Sequence, residues 1–437
     1  MMDFEEPSEF PVPDWVRDAV FYQVFPDRFA RSGAYNPVGN FAPWGSKPTT
    51  TNFCGGNLEG IREHLQYIKD LGANTLYLCP IFQSNSNHRY HTFDYFKIDP
   101  VLGTLDHFDK LVEDAHGLGL RIILDGVFNH CSRGFFQFNS LMEVGPDSPY
   151  RDWFIVDSFP VTAYSGKPNY RCWWNLPALP KFNTENPEVR EFLFSVAEFW
   201  LHRGIDGWRL DVPDEIDDDS FWREFRLRVK RINPDAYIVG EIWNPPARWL
   251  QGDQFDGVMN YTLRRLLLDF LLGGERSFPK TSEFCKSLRA NFSGKFGVSM
   301  NVLASHDTRR LVSQPGGNLE MSKLLSTLQF FLPGAPCIYY GEEFAMEGGK
   351  DPDNRRCFPW GRQLSEGQNE YFHFFKKLVA MRNAEVVLRR GALNAVPQDD
   401  GFKVQRFLGG DLLEMCVTWG EPGSAARFSL NKNGLPY

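Results

Sequence analysis

The chain has 437 residues, a hydrophobic content of 42% and a formal net charge of -8, with a pI near 5.7. This length suits one α/β barrel with insertions, and the acidic balance argues against nucleic acid or an anionic membrane as the main partner. The N-terminus reads M-M-D-F-E-E-P and lacks an apolar signal region, and no run is long enough to cross a membrane. We therefore expect a cytoplasmic protein whose eight cysteines are mostly buried free thiols.

Short apolar runs bounded by Gly, Pro or polar residues alternate with segments of helical periodicity. The predicted strands are 19–26, 74–80, 121–128, 204–212, 237–243, 298–308 and 336–343. The predicted helices are 57–71, 104–118, 187–202, 217–231, 260–272, 320–331 and 370–384. This repeated strand–helix alternation predicts an α/β fold of the TIM (β/α)8 barrel type.

Two stretches do not follow this alternation. Residues 131–183 lack steady periodicity and carry aromatics, Gly and Pro, so we interpret them as an insertion after the third strand. The final residues alternate polar and apolar, which predicts a small β domain. The predicted organisation is 1–130 for the first part of the barrel, 131–183 for the inserted domain B, 184–385 for the rest of the barrel and 386–437 for the C-terminal β domain.

Charged residues interrupt the apolar strand G-I-D-G-W-R-L-D-V at 204–212. Arg209 and Asp211 are two residues apart and so point to the same face of an extended strand. Buried charges must be paired or face a polar site, and the residues alone leave both readings open. Glu241 and Asp307 end two further strands, and acids at strand C-termini are typical of a parallel barrel with its chemistry at that end.

Four segments, taken together and in order, carry a family resemblance. They read D-G-V-F-N-H, G-W-R-L-D-V, G-E-I-W and S-H-D-T, and they resemble the signature segments of the α-amylase family of glycoside hydrolases. The flanking stretches S-N-H-R-Y-H-T-F-D-Y-F, G-D-Q-F-D-G-V-M-N-Y and P-C-I-Y-Y-G-E-E are similar to those of the neopullulanase, cyclomaltodextrinase and maltogenic amylase branch. The likeness extends from Trp15 to about residue 385.

The resemblance implies a role for each matching residue. Asp211 corresponds to the nucleophile that forms a covalent glycosyl-enzyme, Glu241 to the general acid and base, and Asp307 to the third acid, which binds sugar hydroxyls. Retaining hydrolysis needs two carboxyl groups about 5–5.5 Å apart. Arg209 would favour ionised Asp211, because an opposite charge lowers a carboxyl pKa.

Substrate-binding roles are implied for further residues by the same resemblance. The full set of expected substrate-binding residues is Tyr90, His130, Arg209, His306, Glu215, Trp243, Asp351 and Arg355. Glu215 would shape the acceptor side, although it follows V-P-D where the branch has V-A-N. Trp243 is expected either to stack on a sugar or simply to pack. Asp351 and Arg355 are expected either to bind the non-reducing side or to form a solvated charge cluster.

Several departures from the branch affect cofactors and assembly. No cofactor is expected to be required, because Asn57 stands where calcium-binding relatives have Asp, and hard cations want several charged oxygen ligands. We therefore predict no metal site, with calcium as the minor alternative. His91 stands where the branch often has Asp. The N-terminal β-sandwich of relatives has no counterpart in this sequence, and monomer and homodimer both remain open.

The leading hypothesis is a retaining hydrolase of α-1,4-glucosidic bonds in maltodextrins, cyclomaltodextrins or pullulan, with transglycosylation and α-1,6 cleavage as additional activities. An exo-acting α-glucosidase or a glucanotransferase of the same family is the alternative within enzymes. A non-catalytic family member acting as a binding or chaperone subunit is the remote alternative. The presence of Asp211, Glu241 and Asp307 disfavours it. The expected partner is an α-glucan oligosaccharide or polysaccharide.

Overall fold

A computed structural model describes residues 11–292, 298–420 and 426–437. The strands are β1 Phe21–Val24, β2 Thr75–Leu78, β3 Phe82–Ser84, β4 Thr92–Ile98, β5 Arg121–Gly126, β6 Gly207–Leu210, β7 Tyr237–Gly240, β8 Gly257–Val258, β9 Met300–Asn301, β10 Ala335–Tyr339, β11 Ala392–Gln398, β12 Gly401–Leu408, β13 Asp411–Thr418, β14 Arg427–Lys432 and β15 Leu435–Pro436. Eight of them form a parallel sheet in the order β8-β7-β6-β5-β2-β1-β10-β9.

A parallel bridge between Met259 and Met300 joins the two edge strands β8 and β9 and closes the sheet into a barrel. The predicted TIM barrel is therefore confirmed. Its strands are buried on both faces, and for this reason they read as nearly continuous apolar runs in the sequence. An inner cluster that includes Phe21, Tyr77 and Tyr237 fills the barrel, and a larger cluster packs between strands and helices.

The helices are α1 Pro26–Phe29, α2 Leu58–Glu63, α3 Leu65–Leu71, α4 Leu105–Gly117, α5 Phe136–Val144, α6 Pro187–His202, α7 Asp219–Ile232, α8 Tyr261–Leu272, α9 Phe278–Asn291, α10 Leu319–Phe331, α11 Glu366–Ala384 and α12 Val386–Arg390. Side-chain caps begin several of them: Asn57 Oδ1 accepts from Gly60 N–H at 2.7 Å, and Thr104 caps α4. No described helix is long and apolar enough to traverse a lipid bilayer.

Three predictions of local structure were wrong. The segment between the predicted strand 74–80 and the predicted helix 104–118, expected to be a polar loop, contains the antiparallel pair β3–β4, whose register is irregular. The predicted single helix over 57–71 is two helices that meet at His64. The segment that begins at 386 starts with the helix α12, and the C-terminal sheet starts only at Ala392.

Two buried arginines join the C-terminal part of the chain to the barrel: Arg382 holds the helix α12, and Arg406 holds the sheet β11–β15. Arg382 of α11 donates to Gly334 O and to Leu388 O, each at 2.6 Å. Arg406 of β12 donates to Phe331 O at 2.6 Å and to Gly391 O. Both are fully buried with backbone carbonyls as acceptors, and burial lowers the pKa of Arg382 to about 9.

All eight cysteines carry free thiols. Six of them are buried, and Cys172 and Cys416 are half-buried.

Candidate active site

Asp211 and Glu241 lie directly after two neighbouring strands, β6 and β7. The sheet hydrogen bonding continues one residue beyond each strand: Asp211 N–H donates to Gly126 O and Glu241 N–H donates to Leu210 O, both at 3.0 Å. This extension fixes the backbone under both carboxyl groups at the C-terminal face of the barrel. Asp307 follows β9 and lines the same cavity.

A fully buried guanidinium, that of Arg209, links the acids at the floor of the cavity. Its Nη1 lies 3.0 Å from Asp211 Oδ1 and 2.7 Å from Asp125 Oδ1, and its Nη2 lies 2.8 Å from Glu241 Oε2. Both readings left open by the sequence therefore hold: the strand face carries an internal ion pair, and that pair belongs to a polar site. Because one rigid planar group contacts three carboxyls, their relative positions are fixed.

Glu241 accepts two further hydrogen bonds. Trp243 Nε1–H donates to Oε1, and the amide of Val212 donates to Oε2, each at 3.0 Å. Val212 has φ 35° and ψ 52°, a left-handed conformation that is unfavourable for a β-branched residue. The strained backbone directs this amide at the carboxyl group.

Burial is the largest influence on both carboxyl groups. It raises the pKa of Glu241, with the charge of Asp307 acting in the same direction and Arg209 opposing it. It also raises the pKa of Asp211, and Arg209 opposes the rise as expected without outweighing it. The raised pKa of Glu241 suits a group that must hold a proton near neutral pH.

Arg355 connects Asp307 to the loop after β10. Its Nη2 lies 3.5 Å from Asp307 Oδ1, its Nη1 lies 3.0 Å from Asp351 Oδ1, and its Nε–H donates to His306 O at 3.0 Å. Arg355 is only 9% exposed. The reading of Asp351 and Arg355 as a solvated charge cluster is therefore wrong for Arg355, which is part of the cavity wall.

Tyr90 and His130 line the cavity next to the acids, and His306 lies behind Tyr90, outside the cavity wall. The rings of Tyr90 and His306 are stacked with centroids 5.4 Å apart, and the Tyr90 hydroxyl contacts His306 Nε2 and donates to Asp125 Oδ2 at 2.8 Å. His130 follows β5, and burial lowers its pKa to about 3. Burial also lowers the pKa of His306 well below its usual value, so both rings are neutral hydrogen-bonding groups at ordinary pH.

Trp243 and Glu215, the last two expected substrate-binding residues, lie in different surroundings. Trp243 lines the cavity, and one face of its indole packs on Tyr261 with centroids 3.6 Å apart, so it both packs and borders the substrate space. The structure does not bring Glu215 into the cavity wall. Its side chain is 39% exposed and is paired with Lys181 Nζ at 2.8 Å. A direct sugar contact from Glu215 therefore has no support in this geometry.

The acids open into a cavity of about 710 Å³. Its wall combines residues from the barrel loops with residues from the insertion: Arg28, Thr49, Thr50, Asn87, His88, Tyr90, His91, His130, Trp173, Trp174, Leu176, Leu179, Asp211, Val212, Glu241, Trp243, Asp307, Asp351, Pro352 and Arg355. This volume suits an oligosaccharide segment.

The described residues contain one cluster of side chains that could hold a metal ion. One group of three possible ligands, Cys79, Asp125 and His306, has atoms within 4.8 Å of one another. Both Asp125 oxygens already accept hydrogen bonds, and both His306 ring nitrogens contact neighbours. Burial raises the pKa of the Cys79 thiol well above its usual value, which disfavours the thiolate that metals require. These atoms therefore serve the hydrogen-bond network.

Asn57, the position compared with the calcium ligand of relatives, is also engaged. Its Oδ1 accepts from the amides of Gly60 and Ser32, and its Nδ2 donates to Ser32 O. The side chain acts as a helix cap.

Two parts of the cavity region were not predicted from the sequence: the buried acid Asp125 and the tryptophan pair Trp173 and Trp174. Asp125 is buried, and it accepts from Tyr77 and Tyr90 as well as from Arg209. Its signal was present, because it is an acid within the apolar strand R-I-I-L-D-G-V-F. Trp173 and Trp174 of the insertion also line the cavity, and no periodicity marked them.

The sequence matches a family model described as the catalytic domain of alpha amylase over residues 23–367. The chain belongs to the α-amylase family. Cyclomaltodextrinase from Bacillus sp is 41% identical over 413 residues, covering 93% of this chain and 74% of that protein. Neopullulanase 2 from Thermoactinomyces vulgaris is 42% identical over 403 residues, covering 91% of this chain and 68% of that protein.

A solved structure of cyclic alpha-maltosyl-(1→6)-maltose hydrolase from Arthrobacter globiformis superposes with a TM-score of 0.89 at 43% identity. The match covers 94% of this chain and 92% of that one. The resemblance to the α-amylase family and to its cyclomaltodextrinase and neopullulanase branch is confirmed, and this family member is a glycosidase.

Proposed function

We propose that this protein hydrolyses α-1,4-glucosidic bonds in maltodextrins, cyclomaltodextrins or pullulan with retention of the anomeric configuration. The observation that carries the proposal is the contact of one guanidinium, that of Arg209, with both Asp211 and Glu241. The names of the cyclomaltodextrinase and neopullulanase relatives support the substrate class.

In the first step Glu241 gives its proton to the glycosidic oxygen while Asp211 Oδ attacks the anomeric carbon. The bond from that carbon to the oxygen breaks, the shortened glucan leaves as an alcohol, and the glycosyl group is held as an ester of Asp211. Glu241 is then a carboxylate. In the second step it takes a proton from water as the water oxygen attacks the anomeric carbon and displaces Asp211.

The remaining groups position the substrate and stabilise charge. Asp307, held by Arg355, accepts hydrogen bonds from sugar hydroxyls, and the neutral ring of His130 binds a further hydroxyl. His306, whose ring nitrogens contact Gln23 and Tyr90, holds Tyr90 in place. Tyr90 presents a flat ring beneath the sugar whose bond is cleaved. No cofactor takes part in this mechanism, because every proton and electron pair comes from Asp211, Glu241, water and substrate.

The α-1,6 bond is a second candidate target. The Arthrobacter globiformis neighbour is named for the hydrolysis of a cyclic sugar that contains α-1,6 links, and it matches this chain over most of its length. The same two carboxyl groups would serve both linkages, since the chemistry at the anomeric carbon is unchanged.

A product time course on maltoheptaose, β-cyclodextrin, pullulan and the cyclic maltosyl-maltose tests these proposals. We expect opening of β-cyclodextrin and release of maltose or panose, with α-anomers visible first by NMR. Release of glucose alone from chain ends, with β-cyclodextrin untouched, would instead indicate an exo-acting α-glucosidase. Glycosyl transfer without net hydrolysis would indicate a glucanotransferase, and no turnover on any of the four would refute the proposed substrate class.

A further inference from the structure

Two cysteine side chains, those of Cys54 and Cys357, are in contact although they lie far apart in the sequence. Their thiols are hydrogen-bonded to each other, and both are free. Cys54 belongs to the loop between α1 and α2, and Cys357 belongs to the segment between β10 and α11. These loops meet because β1 and β10 are neighbouring parallel strands of the barrel.

One buried guanidinium, that of Arg28, holds the two segments against each other. Its Nη2 donates to Asn52 O at 2.7 Å, and its Nη1 donates to Arg355 O at 3.1 Å. The carbonyl oxygen of Arg28 also accepts from Phe358 N–H at 2.8 Å. Asn52 and Arg355 each stand two residues before one of the cysteines, so the group that spans the loops also sets the approach of the two thiols.

The backbone around Cys54 is firmly held. The Asp27 carboxyl group accepts from the amides of Cys54 and Gly55, at 2.9 and 3.1 Å. On the other side, Arg31 Nε–H donates to Cys54 O at 3.0 Å. Because these bonds fix Cys54, any closer approach of the two sulfur atoms moves mainly the segment that carries Cys357.

Cys357 is the more reactive of the two thiols. The hydrogen bond from Cys54 lowers the pKa of Cys357 below its usual value, and the Gly45 amide and the Arg28 charge act in the same direction against burial. The same thiol–thiol contact and burial raise the pKa of Cys54. The thiolate is the form of cysteine that attacks an oxidant, so Cys357 reacts first and Cys54 follows.

A second cavity gives a small oxidant access to Cys357. It has a volume of about 1200 Å³ and is lined by residues within 44–48, 344–347 and 353–368, including Cys357. Within the described part of the chain, its lining shares no residue with that of the catalytic cavity. Arg355 lines the catalytic cavity and Cys357, two residues later, lines the second one, so this segment separates the two cavities.

We propose that Cys54 and Cys357 are a site of reversible oxidation, at which hydrogen peroxide converts the two thiols to a disulfide that lowers catalytic activity. The Cys357 thiolate attacks one peroxide oxygen, the O–O bond breaks, and the other oxygen takes up a proton and leaves as water, so that Cys357 becomes a sulfenic acid. The Cys54 sulfur then attacks the Cys357 sulfur, the S–O bond breaks, and the hydroxyl group leaves as water with the Cys54 proton. The thiols lose two electrons in all, the peroxide is reduced to two waters, and a dithiol reductant reverses the change.

The disulfide reaches the catalytic cavity through Arg355. A sulfur–sulfur bond is about 2.05 Å long, so the hydrogen-bonded sulfur atoms must come more than about 1 Å closer. Arg355 moves with Cys357, and its contacts with Asp307 Oδ1 at 3.5 Å and Asp351 Oδ1 at 3.0 Å change. A misplacement of about 1 Å in a catalytic group costs about 10²-fold in rate, and because Arg355 acts through Asp307 we expect a loss of about tenfold. Only this effect on activity rests on the proposed hydrolysis, since the oxidation itself does not depend on it.

The test is a titration of the reduced wild-type protein with hydrogen peroxide. We expect mass spectrometry of the digested protein to show a peptide pair cross-linked through Cys54 and Cys357, and kcat/KM on maltoheptaose to fall about tenfold. Dithiothreitol should reverse both changes. Cys357→Ser should form no cross-link and should keep its activity under peroxide. The matched control is Cys416→Ser, which removes a half-buried thiol of the C-terminal sheet and should respond as wild type does.

A trapping measurement checks the order of the two steps. In Cys54→Ser the second thiol is missing, so Cys357 should remain a sulfenic acid that dimedone traps, whereas Cys357→Ser should give no trapped adduct at Cys54. Absence of the cross-link in peroxide-treated wild type would overturn the oxidation site, and a cross-link with unchanged kcat/KM would overturn its effect on activity. The cross-link is measured without turnover, so a wild type that is inactive on every glucan refutes the proposed hydrolysis while the oxidation site is still decided.

Discussion

Replacing Arg209 by lysine tests the central contact of the site. The guanidinium makes three carboxyl contacts of 2.7–3.0 Å, and a lysine ammonium keeps the charge but cannot reproduce this planar geometry. Breaking a buried ion pair costs about 3–5 kcal/mol, and a misplacement of about 1 Å in a catalytic group costs about 10²-fold in rate. We expect kcat/KM on p-nitrophenyl α-maltoside to fall by about 10²–10³ and the free energy of unfolding to fall by about 3 kcal/mol.

The pH profile of the same variant separates geometry from general destabilisation. Arg209 lowers the pKa of Asp211 against the effect of burial, so a weaker contact should move the acidic limb of kcat/KM to higher pH. Arg226→Lys is the control, because Arg226 forms a buried ion pair with Asp256 at 2.8 Å outside the cavity. It should lose stability but keep its activity and pH profile. Activity of Arg209→Lys within threefold of wild type, with an unshifted acidic limb, would refute the reasoning.

Three further outcomes are expected. Glu241→Gln should lose nearly all activity on maltoheptaose but should still form the glycosyl-enzyme from α-maltosyl fluoride, because the fluoride leaving group needs no proton. Mass spectrometry detects this covalent adduct. Equal loss of activity on both substrates would contradict the role of Glu241 as the general acid. His91 has its pKa lowered to about 4 by burial and by Arg133, so the unfolded state binds more protons below pH 6.5 and stability falls as pH falls. His91→Asn should therefore reduce the loss of stability between pH 7 and pH 5 by up to about 2 kcal/mol in urea titrations, and an unchanged loss would disprove it. Treatment with EDTA should leave activity and Tm unchanged, because the hydrogen-bonding groups of the Asn57 side chain are already used to cap a helix. A fall in Tm that added calcium reverses would instead show a metal site.

The barrel could be predicted because its strands are short apolar runs that alternate with helical segments, and because three of these runs lead into an acid, Asp211, Glu241 or Asp307. The barrel strand that escaped prediction, β8, has only two residues, Gly257 and Val258, and no periodicity can be read from two positions. The missed helix α9 did carry a signal, since its buried Thr281, Phe284, Cys285 and Leu288 have helical spacing. A threonine and a cysteine in an otherwise polar stretch made that pattern weak.

The sequence placed Asp211, Glu241 and Asp307 at one end of the barrel, where they line one cavity, but it did not predict their surroundings. The bond from the Val212 amide to Glu241 depends on a left-handed backbone that no side-chain pattern indicates. Glu215 was placed by its distance along the chain from Asp211, and the structure turns it toward Lys181 instead. The stack of His130, Trp173 and Trp174 joins a strand end to an irregular segment more than forty residues away, and such proximity exists only after folding.

Arg406 links the C-terminal sheet to the barrel. Its guanidinium group donates to Phe331 O of α10 and to Gly391 O directly before β11, while Arg382 joins α12 to the barrel. Removing the sheet would leave Phe331 O and Gly391 O without their shared donor, and a barrel cut off before residue 392 would lose cooperativity together with its appendage. Exchange of C-terminal sheets between relatives should accordingly succeed only when the donated sheet brings an arginine at the place of Arg406, so this boundary is a poor site for recombination even though it separates two classes of secondary structure.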